Sequence, residues 1–171
     1  MSARNNGRWE TIVFDPAGGL SGDMFLGCLF ALGAERGAVQ RAVASLPGLE
    51  RFRIVAGRVK RRGVVAQRVR VEYGHGARPR DLRAILSMIR RAPLDATIKR
   101  AAAGVFERLG EAEGRIHGVP AARVHFHEVG AVDSIVDIVG SVVALSLLGF
   151  PRLYHRPLHL GRGTITFSHG T

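Results

Sequence analysis

The chain has 171 residues, of which 46% are hydrophobic, enough for one domain with a real core but not for two large ones. This apolar fraction excludes disorder as the main state, and no apolar run approaches the roughly 20 residues that a membrane helix needs. The N-terminus has no apolar signal-type stretch, and a single cysteine, Cys28, excludes a disulfide framework and a multi-thiolate zinc site. We therefore expect a cytoplasmic protein.

The net charge of +11 is concentrated in one segment of the chain. Residues 51–100 hold 15 basic and 3 acidic side chains, whereas the rest of the sequence is close to neutral. A solvated basic face is one explanation. The other is attraction of an anionic partner, such as a phosphate-bearing small molecule, a nucleotide or a nucleic acid.

The first predicted elements are a strand, a loop and a helix. Residues 11–14 form a short apolar run that ends at Asp15, which predicts a buried strand stopping at a turn. After a glycine-rich loop, Ser21 stands where a helix N-cap belongs, and residues 24–32 continue as an apolar helix. Cys28, within this helix, is interpreted as a small core residue.

The middle of the chain changes from a helical to an extended pattern. A helix is predicted over residues 35–46, where apolar side chains recur at helical spacing. From 51 to 73 apolar and polar side chains alternate with period two. This alternation predicts two antiparallel strands joined by a basic connection at residues 60–63.

Three further helices and an extended segment complete the chain. The helices are predicted over residues 79–91, 95–114 and 131–148, and residues 154–167 are predicted to be extended. The second of these helices carries one apolar stripe, formed by Ile98, Ala102, Val105, Leu109 and Ala112. This order of elements predicts an α+β fold: a single mixed α/β domain over residues 1–171, with a small sheet packed against several helices.

The densest group of metal-capable side chains comprises His125, His127, Glu128, Asp133 and Asp137. If the first three lie on an extended segment, the two histidines point to one side and the glutamate to the other. The two aspartates are four residues apart at the start of an otherwise apolar helix, so they share one face. Their burial without a partner would be costly, and arginine, backbone amides or a divalent cation would compensate them.

Two interpretations of this group stay open. In the first, it binds a metal ion: imidazole suits nickel, zinc, copper and iron, and carboxylates extend the choice to manganese or magnesium. In the second, Asp133 caps the helix, Asp137 pairs with an arginine, and the histidines fill gaps in the core.

A second candidate site runs from Asp15 to Asp23. A carboxylate at a strand end, a loop with Gly18 and Gly19, and a helix N-terminus at Ser21 suit a metal or an anion, since glycine lets backbone amides approach closely. The segment is not a P-loop, because no Gly-Lys-Ser/Thr follows. A plain strand–turn–helix connection is the alternative.

Four other histidines are interpreted as surface or structural residues: His75, His117, His155 and His159. His117 lies in a predicted turn just upstream of the histidine pair, so joining that pair is its alternative role.

Several stretches of the sequence resemble the LarC family of nickel insertion proteins. Residues 14–27 (FDPAGGLSGDMFLG) resemble the family's opening signature, and residues 117–120 (HGVP) and 125–140 (HFHEVGAVDSIVDIVG) its central one. The LGRG and HG segments near the end resemble its next block. The resemblance runs from about Ile12 to the last residue.

This resemblance implies an enzyme, a nickel chelatase or cyclometallase of the lyase class. Family members insert nickel into a pyridinium-3,5-bisthiocarboxylic acid mononucleotide, forming nickel–sulfur bonds and one nickel–carbon bond. The product, the nickel-pincer nucleotide, serves lactate racemase and related enzymes. The reaction uses CTP with manganese or magnesium, which the resemblance assigns to a C-terminal domain that this chain is expected to lack.

The resemblance also implies roles for the candidate residues. The expected nickel ligands are imidazoles and carboxylates of both candidate segments: His125, His127, Glu128, Asp133, Asp137, Asp15 and Asp23. Asp133 and Asp137 have a second expected role, orienting the histidines. The base that removes the ring proton is expected to be His127 or Glu128, and substrate contacts are expected from the loop residues Gly18, Gly19 and Ser21.

Two other functions stay open, a noncatalytic nickel-binding chaperone and a basic nucleic-acid-binding module. Only Phe52 and Tyr73 supply aromatic rings in the basic segment, so platforms for base stacking are sparse. The expected partners are nickel and the anionic mononucleotide, with no membrane partner. A second chain carrying the C-terminal domain and a homo-oligomer both stay open.

Overall fold

The computed structural model describes residues 3–5, 8–74, 79–124, 126, 129–158 and 164, with side chains from residue 9 onward. Its elements in chain order are β1 (Ala3–Asn5), β2 (Arg8–Phe14), α1 (Gly22–Ala31), α2 (Arg36–Ala44), β3 (Phe52–Arg61), β4 (Val64–Tyr73), α3 (Leu82–Arg91), α4 (Ala96–His117), a 3₁₀ turn (Ala121–Arg123), α5 (Val132–Leu147) and β5 (Arg152–His155). The expected mixed α/β arrangement is confirmed, although the described strands form two small sheets instead of one. Within the described residues, no helix is both long and apolar enough to cross a membrane.

The first sheet has three strands in the order β1-β2-β5. β1 is antiparallel to β2, whereas β5 is parallel to it, with Ile12 opposite Leu153 and Phe14 opposite His155. The Arg156 N–H donates to the Phe14 carbonyl at 2.9 Å and extends this pairing by one residue. Ile12 is buried, so β2 lies against the core, while all four residues of β5 are exposed.

The second sheet is a hairpin of β3 and β4, paired from end to end, as the period-two pattern predicts. Its two-residue turn places Arg62 at φ 47° and Gly63 at φ 85°, both in the left-handed region that the favoured hairpin turns require. Ile54 and Val69 are buried and attach the hairpin to the core. The basic residues that connect the strands therefore lie at an exposed tip.

Helix α5 is the centre of the core and packs against α1, α2, α4 and β4. Its small Gly140 brings α2 close, since a Cβ there would lie 3.3 Å from a methyl group of Val39. Fully buried side chains from the other helices complete the core: Leu26, Leu29, Val43, Ile85, Ile89 and Phe106. Burial of such side chains, worth about 1.5–3 kcal/mol each, is the main source of stability.

The helix boundaries follow the sequence signals closely. Ser21 is the residue before α1, as predicted, although its side chain makes no capping hydrogen bond. Glu35 caps α2 by accepting the Ala38 N–H at 2.7 Å. Gly33, at φ 108°, follows the end of α1 in the left-handed conformation that terminates many helices.

The buried face of α4 differs from the predicted stripe. Ile98 and Ala102 are buried as expected. Val105 departs from the prediction because it is 39% exposed, whereas Leu109 is partly buried and packs against the core. Ala112 is partly buried.

The buried face continues instead through Phe106, Gly110 and Gly114. A Cβ on Gly110 would lie 2.6 Å from a methyl group of Leu82, and one on Gly114 would lie 2.7 Å from the carbonyl oxygen of Val119. The two glycines let α4 approach its neighbours closely, a contact that a count of apolar side chains does not detect.

Candidate metal and substrate site

Three carboxylates lie in the same region of the molecule, where the first turns of α1 and α5 meet, although they do not converge on one point. Asp23 lies in the first turn of α1, and Asp133 and Asp137 lie in the first two turns of α5. The helices approach closely at Gly22, where a Cβ would lie 2.7 Å from both the Cβ and Oδ2 of Asp137. Only glycine leaves room for this carboxylate above the start of α1. We call Asp23, Asp133 and Asp137 the carboxylate cluster.

Asp137 has the most perturbed acidity of the described groups. Burial, followed by the negative charges of Asp23 and then Asp133, raises its pKa from 3.8 to about 7. Its Oδ1 atom is buried and has no hydrogen-bond partner among the described residues. A buried carboxylate without a donor is costly when ionised, so this side chain holds a proton or attracts a cation near neutral pH.

The other two carboxylates each accept a local hydrogen bond. Asp23 accepts the Ser21 hydroxyl and the Met24 N–H, the latter at 2.8 Å. Asp133 accepts the Ser134 N–H at 2.8 Å. These bonds orient the two acids whose charges act on Asp137, and each acid keeps lone pairs that are not used in these bonds.

The structure tests the interpretation in which Asp133 caps the helix and Asp137 pairs with an arginine. Asp133 does not cap α5, because Ala131 is the N-cap residue and makes no side-chain hydrogen bond. Asp137 forms no ion pair with an arginine among the described contacts. Burial, and then the charge of Asp133, raise the pKa of the nearby Tyr73 phenol, so the aromatic end of β4 adjoins the same cluster.

The predicted histidine ligands lie outside the described residues. His125, His127 and Glu128 belong to this group, so their proposed roles stay predictions. In the part of the chain that the structure does describe, no three His, Cys, Asp or Glu side chains are close enough to hold a metal ion. A metal site built on the carboxylate cluster therefore needs further ligands. His125, His127 and Glu128 are the candidates nearest to Asp133 in the sequence.

The backbone just before α5 is held by contacts among Gly130, Arg80 and Glu50. The Arg80 N–H donates to the Gly130 carbonyl at 3.0 Å, and a Cβ on Gly130 would lie 2.3 Å from the Arg80 carbonyl oxygen. The Arg80 guanidinium binds Glu50 at 2.6 Å. Burial alone would raise the pKa of Glu50, but the hydrogen bond from Arg80, a backbone hydrogen bond at Glu50 and the charge of Arg80 outweigh it and lower the pKa. These contacts hold the backbone just after residues 127 and 128.

Asp15 is separate from the carboxylate cluster. Its Oδ2 lies 3.5 Å from Nε of Arg156, an ion pair that joins the ends of β2 and β5. It also lines a cavity of about 370 Å³ with apolar side chains of β2 and α1. Cys28 lines the same cavity and is exposed, so its prediction as a core residue was wrong. Partial burial raises the pKa of its thiol.

The glycine-rich loop forms a turn in which the Gly19 N–H donates to the Pro16 carbonyl at 3.1 Å. Gly19 has φ +91°, and open space lies where side chains would project from Gly18 and Gly19. The Ser21 hydroxyl is engaged with Asp23. The loop is accessible, and its predicted contact with substrate stays a prediction.

The remaining histidines do not join the carboxylate cluster in the described contacts. His117 is the last residue of α4 and not part of a turn, and its Nε2 lies 3.2 Å from Glu113 Oε2. The Nδ1 atom of His155 lies 2.9 Å from the Arg156 carbonyl oxygen. His75 and His159 lie outside the described residues.

A second cavity, of about 490 Å³, lies between α1 and the hairpin of β3 and β4. Asp23 and Met24 line it from α1. The hairpin contributes Val59, Arg61, Ala66, Gln67, Arg68 and Val69. One carboxylate of the cluster thus shares a cavity with two arginines of the basic segment, a link that the sequence pattern did not suggest.

Comparison with known proteins identifies the family to which this chain belongs. The family of nickel insertion proteins matches residues 12–171, so the chain belongs to that family. Among its relatives is the pyridinium-3,5-bisthiocarboxylic acid mononucleotide nickel insertion protein of Akkermansia muciniphila, 38% identical over 170 residues. The protein of that name from Desulfitobacterium hafniense is 38% identical over 161 residues, and a putative nickel insertion protein of Thermomicrobium roseum is 42% identical over 156.

These matches cover most of this chain but less than half of each relative. They include 95% of the chain and 42% of the Akkermansia protein, 94% and 40% for Desulfitobacterium, and 91% and 38% for Thermomicrobium. The chain thus spans about 40% of the length of these curated relatives. No solved structure matches it significantly.

Sequence reasoning missed three contributors to the site: Gly22, Tyr73 and the pair Arg61 and Arg68. Gly22 was visible only as one residue of a glycine-rich segment. Tyr73 ends a strand, and only the packing of β4 on α5 places it near Asp133. Arg61 and Arg68 belong to a charge-rich run, and only the packing of the hairpin on α1 places them in a cavity with Asp23.

Proposed function

We propose that this chain is the nickel-binding and substrate-binding part of an enzyme that inserts nickel into pyridinium-3,5-bisthiocarboxylic acid mononucleotide. The observation that carries the proposal is the carboxylate cluster, in which the half-buried Asp137 has a buried Oδ1 atom with no partner among the described residues and a pKa raised to about 7. Membership in the nickel insertion family supports the choice of metal, and the names of the relatives support the choice of substrate.

The proposed chemistry divides between the cluster and the histidine segment. Asp133 and Asp137, with Asp23, attract the nickel ion, and His125, His127 and Glu128 complete its ligand set. Transfer of nickel to the two sulfurs brings the metal next to the ring carbon between them. The ring C–H bond then breaks as the nickel–carbon bond forms, and the proton passes to His127 or Glu128.

The proposal also covers the nucleotide requirement, the reaction class, the cellular compartment and the partners. We assign CTP with manganese or magnesium to a C-terminal domain. We place the reaction in the lyase class and in the cytoplasm. A second chain with that domain and a homo-oligomer are the partners to examine.

A nickel titration by calorimetry tests the metal site. Wild-type chain is compared with Asp137→Asn, with His125→Ala/His127→Ala, and with the control Asp95→Asn, whose exposed side chain makes no capping bond at the start of α4. We expect near-stoichiometric binding by wild type and control. Asp137→Asn should weaken it at least tenfold, since one carboxylate ligand is lost, and the double variant should abolish it.

Equal binding by all four proteins would contradict the metal assignment. Nickel binding without any binding of the mononucleotide would instead favour the noncatalytic nickel chaperone.

A further inference from the structure

We infer that the cavity between α1 and the β3–β4 hairpin binds the phosphate of the mononucleotide, with Arg61 and Arg68 as its cations. This inference rests on the proposed function and adds the position of the substrate. Four observations carry it: the size and lining of the cavity, the placement of the two arginines, the absence of ion pairs to them in the described contacts, and the charge of the wall that α1 forms.

The cavity has the size of a small-molecule site. Its volume of about 490 Å³ falls within the range of about 300–1,000 Å³ that ligand pockets occupy. Met24, Val59 and Ala66 give it an apolar lining suited to a ribose or a ring.

The pairing register places the arginines on either side of that apolar lining. Arg68 is opposite Gly57, Val59 is opposite Ala66, and Arg61 is opposite Val64. These are every second pair of the ladder, so all three lie on the same face of the hairpin. The two arginines therefore lie on either side of the Val59–Ala66 pair, about 13 Å apart along the strands. Both flexible side chains can reach an anion held between them.

Neither arginine forms an ion pair in the described contacts. By contrast, Arg70 lies 3.5 Å from Glu72, and Arg80 lies 2.6 Å from Glu50. Arg68 also faces a glycine across the hairpin, so no side chain opposes it there. Two guanidinium groups with free donors beside a cavity suit a phosphate, which accepts paired hydrogen bonds from them.

The opposite wall explains why the phosphate is expected at the hairpin and not at the start of α1. Asp23 lines that wall and accepts the Met24 N–H at 2.8 Å, so this backbone donor at the start of α1 is already used. The negative charge of Asp23 also repels an anion from this wall. The cavity is therefore lined by an acid on the α1 side and by two bases on the hairpin side. A mononucleotide matches this polarity, because its thiocarboxylate head binds a metal while its phosphate lies on the far side of the ribose.

The test compares two ligands and three proteins in the absence of nickel. The ligands are the pyridinium-3,5-bisthiocarboxylic acid mononucleotide and the nucleoside obtained from it with a phosphatase. The proteins are wild type, Arg61→Gln/Arg68→Gln, and the control Arg100→Gln/Arg108→Gln, which removes the same charge from exposed positions on α4. Calorimetry gives each dissociation constant, and thermal unfolding checks that each variant is folded.

We expect wild type to bind the mononucleotide more tightly than the nucleoside. Arg61→Gln/Arg68→Gln should weaken mononucleotide binding by about 10- to 100-fold, because two charge-assisted contacts are lost. Nucleoside binding should change less than twofold, and the control should bind both ligands as wild type does.

Equal weakening by the control, equal weakening for both ligands, or no weakening at all would overturn the inference. If the arginine variant loses binding of a DNA duplex but keeps the mononucleotide, the hairpin serves nucleic acid instead. Nickel binding is measured separately, so loss of this inference leaves the proposed metal site standing. A wild-type chain that binds neither ligand would overturn the inference and the substrate-binding part of the proposed function together.

Discussion

At the scale of single residues, the raised pKa of Asp137 makes the free energy of unfolding depend on pH. Its pKa of about 7 lies well above the ordinary value of 3.8. Between these two values the folded chain holds a proton that the unfolded chain releases, so the free energy of unfolding falls as pH rises through that window. Above pH 7 the loss is complete, and a bound cation would offset it.

The first prediction is a comparison of wild type with Asp137→Asn between pH 5 and pH 8. The wild type should lose about 1–2 kcal/mol of unfolding free energy over this range, a figure reduced for solvent screening of a half-buried group. The asparagine variant should lack this component, and urea unfolding at both pH values measures the difference. An identical decline in both proteins would assign the pH dependence to other groups.

The second prediction concerns the contact beneath Asp137. Gly22→Ala places a Cβ 2.7 Å from the Asp137 carboxylate and should displace it, whereas open space surrounds the same change at Gly18. We expect Gly22→Ala to lower the free energy of unfolding by about 1–3 kcal/mol and to weaken nickel binding. Gly18→Ala should change stability by less than about 0.5 kcal/mol. Chemical unfolding compares the two, and equal stability would refute the close contact.

At the scale of elements, α4 shows what a hydropathy pattern can and cannot predict. The helix itself follows from its length and spacing, and the hairpin follows from the alternation and the Arg62–Gly63 turn. Past Ala102 the predicted stripe misses part of the buried face, because Phe106, Gly110 and Gly114 are buried there and the two glycines make the close contacts. Which helix approaches a glycine is a tertiary property and is not encoded in local periodicity.

The third prediction uses two glycines of α4 as a matched pair. Gly104 has open space around it, so Gly104→Ala should stabilise the chain by about 0.5–1 kcal/mol through helix propensity. Gly114→Ala would bring a Cβ to 2.7 Å from a backbone oxygen and should destabilise by about 1–3 kcal/mol. Thermal unfolding of the two variants should shift in opposite directions. A shift of the same sign would contradict the assigned face.

At the scale of the whole molecule, the site is assembled from segments that no local pattern connects. Spacing alone placed Asp133 and Asp137 on one helical face, and the structure confirms their position in the first turns of α5. The approach of Asp23 depends on the packing of α1 on α5, and the nearness of Arg61 and Arg68 depends on the packing of the hairpin on α1. These relations arise from the shared core and required a structure.

The fourth prediction tests the parallel pairing of β5 with β2. The Arg156 N–H donates to β2, and alternate residues of a strand face the same edge, so the Tyr154 N–H also faces β2. Tyr154→Pro removes that donor and should lower the free energy of unfolding by about 1–3 kcal/mol. Tyr154→Thr keeps the donor at an exposed position and should be nearly neutral. Urea unfolding distinguishes the variants, and equal values would argue against the parallel pairing.

The parallel pairing of β2 with β5 also has a consequence for synthesis of the chain. About 140 residues separate the two strands, so at about 5–20 residues per second the ribosome needs roughly 7–30 s to supply the partner of β2. The helices and the hairpin emerge during that interval, while one edge of β2 stays open to any extended segment nearby. The yield of native protein should therefore depend on the translation rate between β2 and β5, with slow translation giving other nascent chains more time to occupy that edge.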